Sequence, residues 1–171
     1  MSRGQPQTLN FWGWIVAPAL LALLATVLFA TPIRVFGFGL PEPVWPMVLA
    51  FAWPVIRPSM ATPLVLLGLG LFLDLFWGAA LGQWALCLLI PYALALASRR
   101  LTMGQSGVVL AGWYLGLTAV MFGCLQLFTD WDLNAGPAAA AVGLQALATA
   151  LLYPLAHQLI DRFEDAGARI R

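Results

Sequence analysis

Two side chains of this sequence, Ser106 and His157, are of the types that serine hydrolases use. Ser106 lies in the segment Gly104-Gln105-Ser106-Gly107, and His157 follows about fifty positions later, at the end of the last apolar stretch. An imidazole can activate a serine hydroxyl as a nucleophile. The alternative is structural, with Ser106 capping a helix and His157 lying at an interface. We favour the structural interpretation, because hydrolysis without positioned oxyanion donors would lose roughly 3–4 kcal/mol of transition-state stabilisation.

The acidic side chains are too scattered to predict a metal site. Asp74 is alone in an apolar stretch, Glu42 lies in a loop, and Asp130 and Asp132 flank a tryptophan in another loop. Metal-dependent phosphotransfer needs several carboxylates on one face, and two cysteines are too few for a zinc cluster, which needs about four ligands. We therefore expect no metal, no cofactor and no catalytic residue, and interpret the protein as a non-enzyme.

Asp74 is the one acid placed within a predicted membrane span, where an ionisable group costs about 2.5–3.5 kcal/mol. Gly70 and Gly78, four residues to either side, share its helical face. A neighbouring helix can approach closely over these glycines and offer the carboxylate a donor, for which we expect Arg34. The alternatives are a carboxylate solvated near the interface and a proton or ion relay.

Composition places these residues in a membrane protein. Of 171 residues, 62% are hydrophobic and only 9% are charged, against about 25% charged in soluble domains, and the mean hydropathy is +0.89. The net charge of +1 argues against a nucleic-acid partner. We predict one domain, an all-α bundle of six transmembrane helices. The expected spans are 12–31, 44–56, 63–77, 83–97, 107–128 and 138–157.

The basic residues, all arginine, predict the topology. With a cytoplasmic N-terminus, six crossings leave Arg34 as the one arginine outside. The C-terminus is then cytoplasmic as well. The arginines on the inner side are 3, 57, 99, 100, 162, 169 and 171.

Proline and glycine mark two further features. Prolines in and around the second span predict a short, kinked or re-entrant helix, which must lie against protein or water. Gly112 and Gly116 form a GxxxG pattern in the fifth span, and small residues of the sixth span form a related stripe. These faces either pack the two spans together or bind another protein's helix. The GxxxG spelled by Gly78 and Gly82 is interpreted mainly as a tight turn.

A longer pattern resembles the MreD family of bacterial rod-shape-determining membrane proteins. It comprises Trp53 and Pro58, then Asp74 sixteen positions on, then Gly78 and Gly82, followed by Ala85-Leu86 and Tyr92. The resemblance covers residues 45–100, a little over a third of the chain. The proline content around the second span is higher than the family leads us to expect.

The resemblance implies a fold similar to the substrate-binding subunits of energy-coupling-factor transporters. It implies a non-enzymatic scaffold of the cell-wall elongation complex in the bacterial inner (cytoplasmic) membrane, which maintains rod shape. The implied partner is MreC, through its single transmembrane helix. Beyond it lie MreB and the glycosyltransferase–transpeptidase pair. We also expect the basic inner ends to bind anionic membrane lipid or cytoplasmic filaments.

Two alternative functions are kept. The first is a small-molecule, vitamin-like binding subunit of a membrane transporter, with Asp74, Arg34, Gln83 and Trp84 lining a pocket near the outer face. The second is an intramembrane serine protease of the rhomboid type built on Ser106. The expected topology places Ser106 on the cytoplasmic side, whereas rhomboid sites open to the outer side.

Overall fold

The computed structural model describes the backbone of residues 12–30, 34–35, 38–39, 42–131 and 139–168, and side chains at 13–30, 42–129 and 140–162. Over these residues the chain is helical apart from one short β-hairpin, and the predicted all-α class is confirmed. Arg3, Arg169 and Arg171 lie outside the described residues, as do the side chains of Asp130 and Asp132.

The helices follow the predicted apolar stretches closely. A π-helical turn, Trp12–Val16, leads into the first α-helix. The single turn α5 follows α4 directly. In chain order the helices are α1 (Ala17–Phe29), α2 (Pro46–Ile56), α3 (Ala61–Trp77), α4 (Gln83–Ala97), α5 (Arg99–Thr102), α6 (Gly107–Trp131), α7 (Ala139–Ala150) and α8 (Tyr153–Ala168).

Two features depart from the expected pattern. Between α1 and α2, strands β1 (Arg34–Val35) and β2 (Phe38–Gly39) pair antiparallel, with Arg34 opposite Gly39. The sixth apolar stretch is two helices, α7 and α8, and α8 continues to Ala168, beyond the expected end at 157. Arg34 therefore lies in a strand and not at a helix end.

Helix α2 lies at the centre of the fold. Every residue from Pro46 to Val55 is buried, and α2 contacts α1, α3, α4, α6 and α8. Its 11 residues extend only about 16 Å. Pro46 starts the helix, where no N–H is needed, and Pro54 lies near its end. The expectation of a short helix enclosed by protein agrees with this arrangement.

Hydrogen bonds join the junction between α7 and α8 to α6 and to the segment just before α2. Pro154 cannot donate a backbone hydrogen bond, so the helix is interrupted just before it. The Tyr114 hydroxyl donates to the Thr149 carbonyl at 3.0 Å. The Thr149 hydroxyl donates to the Gln145 carbonyl and accepts the Val44 N–H at 3.0 Å. A broken membrane helix is tolerated where neighbours satisfy its freed backbone groups.

The described surface carries large apolar side chains that a soluble protein would bury. Two helical segments, 107–129 and 140–162, are each long and apolar enough to cross a membrane, and the other apolar helices of the described chain are shorter. Exposed apolar surface on this scale marks contact with lipid or with other proteins. We conclude that this is a membrane protein. Strongly exposed examples are Met60, Leu64, Leu75, Leu81, Val108, Leu127 and Leu151.

Candidate functional site

Asp74 is buried near the end of α3, with 1% of its surface exposed. Its carboxylate accepts two short backbone hydrogen bonds. One comes from the Gly82 N–H to Oδ2 and the other from the Trp84 N–H to Oδ1, both at 2.7 Å. Gly82 and Trp84 lie at the start of α4, where unpaired N–H groups and the helix dipole favour a negative charge. Asp74 therefore caps α4 from the preceding helix and clasps the α3–α4 hairpin.

The glycines around Asp74 have distinct structural roles. Gly78 ends α3 with a φ of 66°, and Gly82 precedes α4 with a φ of 93°. Both values lie in the left-handed region that glycine adopts without strain. The Ala79 N–H closes the turn onto the Asp74 carbonyl at 2.9 Å. The turn interpretation of the segment from Gly78 to Gly82 is therefore supported.

Helices α3 and α4 approach each other closely at Gly70. A Cβ built on Gly70 would lie 2.3 Å from the Ala85 Cα, a distance that real atoms do not tolerate. Gly68, two residues earlier on the same helix, has nothing within 4 Å of such a Cβ. The face formed by Gly70 and Asp74 is thus occupied by α4 of the same chain.

The predicted Asp74 partner, Arg34, lies in β1 with its side chain outside the described residues. Both Asp74 oxygens accept backbone N–H groups at the start of α4, and the Arg34 contact stays a prediction. A contact that sequence reasoning missed lies nearby, where the Trp77 indole N–H donates to Glu42 Oε2 at 3.0 Å. The rings of Trp77 and Trp84 lie 4.6 Å apart. The available sequence signal was Trp77, three residues after the isolated Asp74. Its bond to Glu42 was not predicted because the two residues are 35 positions apart in the chain.

Trp53 and Pro58 are not brought together with Asp74. Trp53 is buried in α2, with 1% of its surface exposed. Pro58 is exposed in the connection before α3. Asp74 lies thirteen residues beyond the start of α3 at Ala61, which is about 20 Å along the helix. In the pattern that resembles the MreD family, Trp53 is thus a core residue, Pro58 lies in a connection and Asp74 caps a helix. These three residues do not form one site.

Gly112 and Gly116 line an open groove between α4 and α6. The groove has a volume of about 850 Å³, and its walls are mostly apolar. A Cβ on either glycine would meet nothing within 4 Å. The GxxxG pattern was expected either to pack the last two spans together or to bind another protein's helix. In the described residues, no other helix of this chain packs on Gly112 or Gly116. Other lining residues are Leu94, Ala97, Ser98, Val109, Trp113, Leu117 and Val120.

His157 packs against Gly107, the residue that follows Ser106 in the chain. A Cβ on Gly107 would lie 2.7 Å from His157 Nε2, and the Tyr153 hydroxyl donates to the Gly107 carbonyl. His157 Nδ1 lies 3.0 Å from Asp161 Oδ1. Ser106 precedes α6, and its carbonyl accepts the Val109 and Leu110 N–H groups. No hydrogen bond joins the Ser106 hydroxyl to His157 in the described structure, so the contacts are those of a helix start packed on α8.

In the part of the chain that the structure describes, no group of three or more His, Cys, Asp or Glu side chains is placed to hold a metal ion. The transporter hypothesis places Asp74, Gln83 and Trp84 around a pocket, and these residues do not line the α4–α6 groove or the groove between α1, α2 and α8. Asp74 has both oxygens committed to α4.

Comparison with known proteins adds no relative. The chain matches no protein-family model, and no curated protein or solved structure is significantly similar to it.

Proposed function

We propose that this protein is a multi-pass component of the bacterial cytoplasmic membrane and a non-enzymatic scaffold of the cell-wall elongation complex. Its resemblance to the MreD family through Trp53, Pro58, Asp74, Gly78 and Gly82 supports the role. The open α4–α6 groove carries the proposal, because it offers a partner's helix a place to bind.

The groove has the properties that a transmembrane helix needs. In lipid, helices associate through close packing over small residues and not through the hydrophobic effect. Gly112 and Gly116 leave the α6 backbone open to such an approach. The small-residue face at Gly70 is already filled by Ala85. Because Gly112 and Gly116 lie in an open groove, the α4–α6 groove is the face we assign to the partner.

We further propose that six helical segments cross the membrane. At about 1.5 Å per residue, α3 and α4 extend roughly 25 and 22 Å, slightly less than a hydrocarbon core of about 30 Å. Local thinning of the bilayer and flanking interfacial residues accommodate such a mismatch. Helix α2 is shorter, but it is enclosed by other helices. Arg57, Arg99 and Arg100 lie after α2 and α4, at the ends expected in the cytoplasm.

The proposed partner is the single transmembrane helix of MreC, as the MreD resemblance implies. MreB and the glycosyltransferase–transpeptidase pair would join the complex through it. In this account the protein positions other components and performs no chemistry.

Affinity purification from gently solubilised membranes tests the proposal. We expect MreC to co-purify with the wild-type chain and to be lost from the Gly112→Leu and Gly116→Leu variants, whose side chains fill the groove. The control is Gly123→Leu, at an exposed α6 glycine with open space around it that does not line the groove.

Three results would contradict the proposal. MreC could be absent from the wild-type preparation, or it could be retained equally by all variants. Native mass spectrometry could instead show a lone chain carrying a small metabolite, which would favour the transporter alternative.

A further inference from the structure

A second groove lies between α1, α2 and α8. It has a volume of about 440 Å³ and is mostly apolar. Ala22 and Ala25 of α1 line one wall, Val48 and Leu49 line the second, and Leu155 belongs to the third. Because small alanines face larger side chains across it, the groove stays open between the helices.

The α8 wall changes character along its length. Leu155, Gln158, Leu159 and Arg162 all line the groove, and their spacing of three and four residues places them on one helical face. The wall is apolar at Leu155 and ends at the amide of Gln158 and the guanidinium of Arg162. Arg162 is exposed and has no ion-pair partner among the described side chains.

We propose that this groove binds an anionic phospholipid, with an acyl chain between α1 and α2 and the phosphate on Arg162. An apolar channel ending in a cation is complementary to an amphiphile with a negative headgroup. Arginine binds phosphate oxygens through parallel N–H donors, and basic pockets between transmembrane helices bind anionic headgroups. In the proposed topology Arg162 faces the cytoplasm, where such headgroups are available.

The size of the groove favours a lipid over a second partner helix. A helix with its side chains is about 10 Å across, and the α4–α6 groove, floored by glycine, has about twice the volume of this one. The inference depends on the membrane location of the chain and not on its role in wall synthesis, because lipid binding requires no other protein.

Native mass spectrometry of the purified, delipidated full chain tests the inference. The protein is titrated with phosphatidylglycerol and, separately, with phosphatidylcholine. We expect a bound phosphatidylglycerol that phosphatidylcholine does not replace, and an affinity that falls about tenfold in Arg162→Ala. The matched control, Arg100→Ala, removes an exposed arginine that lies outside the groove and should retain wild-type affinity.

A second variant tests the acyl-chain site. Ala25→Trp fills the groove and should weaken phosphatidylglycerol binding although Arg162 is intact, while circular dichroism verifies that the helices are retained. Equal binding of the two lipids, or equal losses in Arg162→Ala and Arg100→Ala, would overturn the proposal. A photoreactive side chain at position 25 that captures a protein helix in membranes in place of lipid would also overturn it.

Discussion

At the scale of single residues, Asp74 shows how a costly intramembrane acid acquires a structural role. The energetic cost of burying its carboxylate is offset by two hydrogen bonds, from the Gly82 and Trp84 N–H groups, each 2.7 Å long. A helix N-terminus lacks partners for its first N–H groups, so one carboxylate stabilises two groups that lipid would leave unpaired.

Asp74→Ala should lower the free energy of unfolding by about 2–4 kcal/mol, because two hydrogen bonds to a charged group are lost and their donors stay buried. The free energy of unfolding of Asp74→Asn should lie between those of Asp74→Ala and the wild type, since an amide keeps one acceptor oxygen. Unfolding in mixed detergent micelles provides the measurement. Asp161→Asn, at a side chain that is 56% exposed, is the control and should change stability by less than about 0.5 kcal/mol. Equal effects at Asp74 and Asp161 would refute the capping role.

Sequence reasoning identified part of the Asp74 face but did not foresee the backbone donors of α4. A close approach was predicted over both Gly70 and Gly78. Helix α4 approaches closely over Gly70, whereas a Cβ on Gly78 would meet nothing within 4 Å, because Gly78 ends α3. The expected donor was the side chain of Arg34, whereas the described bonds come from the backbone of α4. A side-chain partner can be proposed from residue type, but backbone donors become available only when a turn directs a helix N-terminus at the acid. The left-handed glycines 78 and 82 provide that turn.

At the scale of elements, close contact between α3 and α4 depends on one glycine. Gly70→Ala should destabilise the protein by about 1–3 kcal/mol, because the added methyl group overlaps the Ala85 backbone. Gly68→Ala, on the same helix with open space around it, should change stability by no more than about 1 kcal/mol and in the stabilising direction. Thermal unfolding in detergent compares the two. Similar losses in both variants would show that α3 and α4 are not in close contact.

The interruption between α7 and α8 joins three elements through Thr149. Thr149→Val should cost about 1–3 kcal/mol more than Thr118→Val, because it leaves the buried Val44 N–H without its acceptor. Thr118 is a matched control, since it is also buried and its hydroxyl donates to the carbonyl four residues earlier, that of Tyr114. The difference in unfolding free energy is the observable. A difference near zero would mean that the Val44 bond does not form.

Helix positions were predictable because hydropathy and proline determine where apolar segments start and end. The sixth stretch was not predicted as two helices, because Pro154 lies inside a run that is apolar on both sides. The bond to the backbone at the break comes from the hydroxyl of Tyr114, which donates to the Thr149 carbonyl from a distant part of the sequence. The β-hairpin at Arg34 was missed because two-residue strands leave no periodic signal.

At the scale of the whole molecule, the six-span arrangement predicts the side of the membrane on which each connection lies. Ala80→Cys, in the exposed α3–α4 turn, should react with a membrane-impermeant maleimide in intact spheroplasts. Ser106→Cys, at the exposed start of α6, should react only after the membrane is opened. Both variants are made with Cys124 replaced by serine, because that native thiol is partly exposed. Labelling of both positions from the same side would contradict six crossings.

The central claim is that a partner's transmembrane helix occupies the α4–α6 groove, and photocrosslinking in living cells tests it most directly. A photoreactive amino acid is placed at Val109 or Val120, which line the groove, and at Leu115 or Leu127, which are exposed on α6 outside it. We predict crosslinks to MreC from both groove positions and none from the two controls. Crosslinks to MreC from Leu115 or Leu127 without any from the groove would contradict the account, as would capture of lipid alone at all four positions.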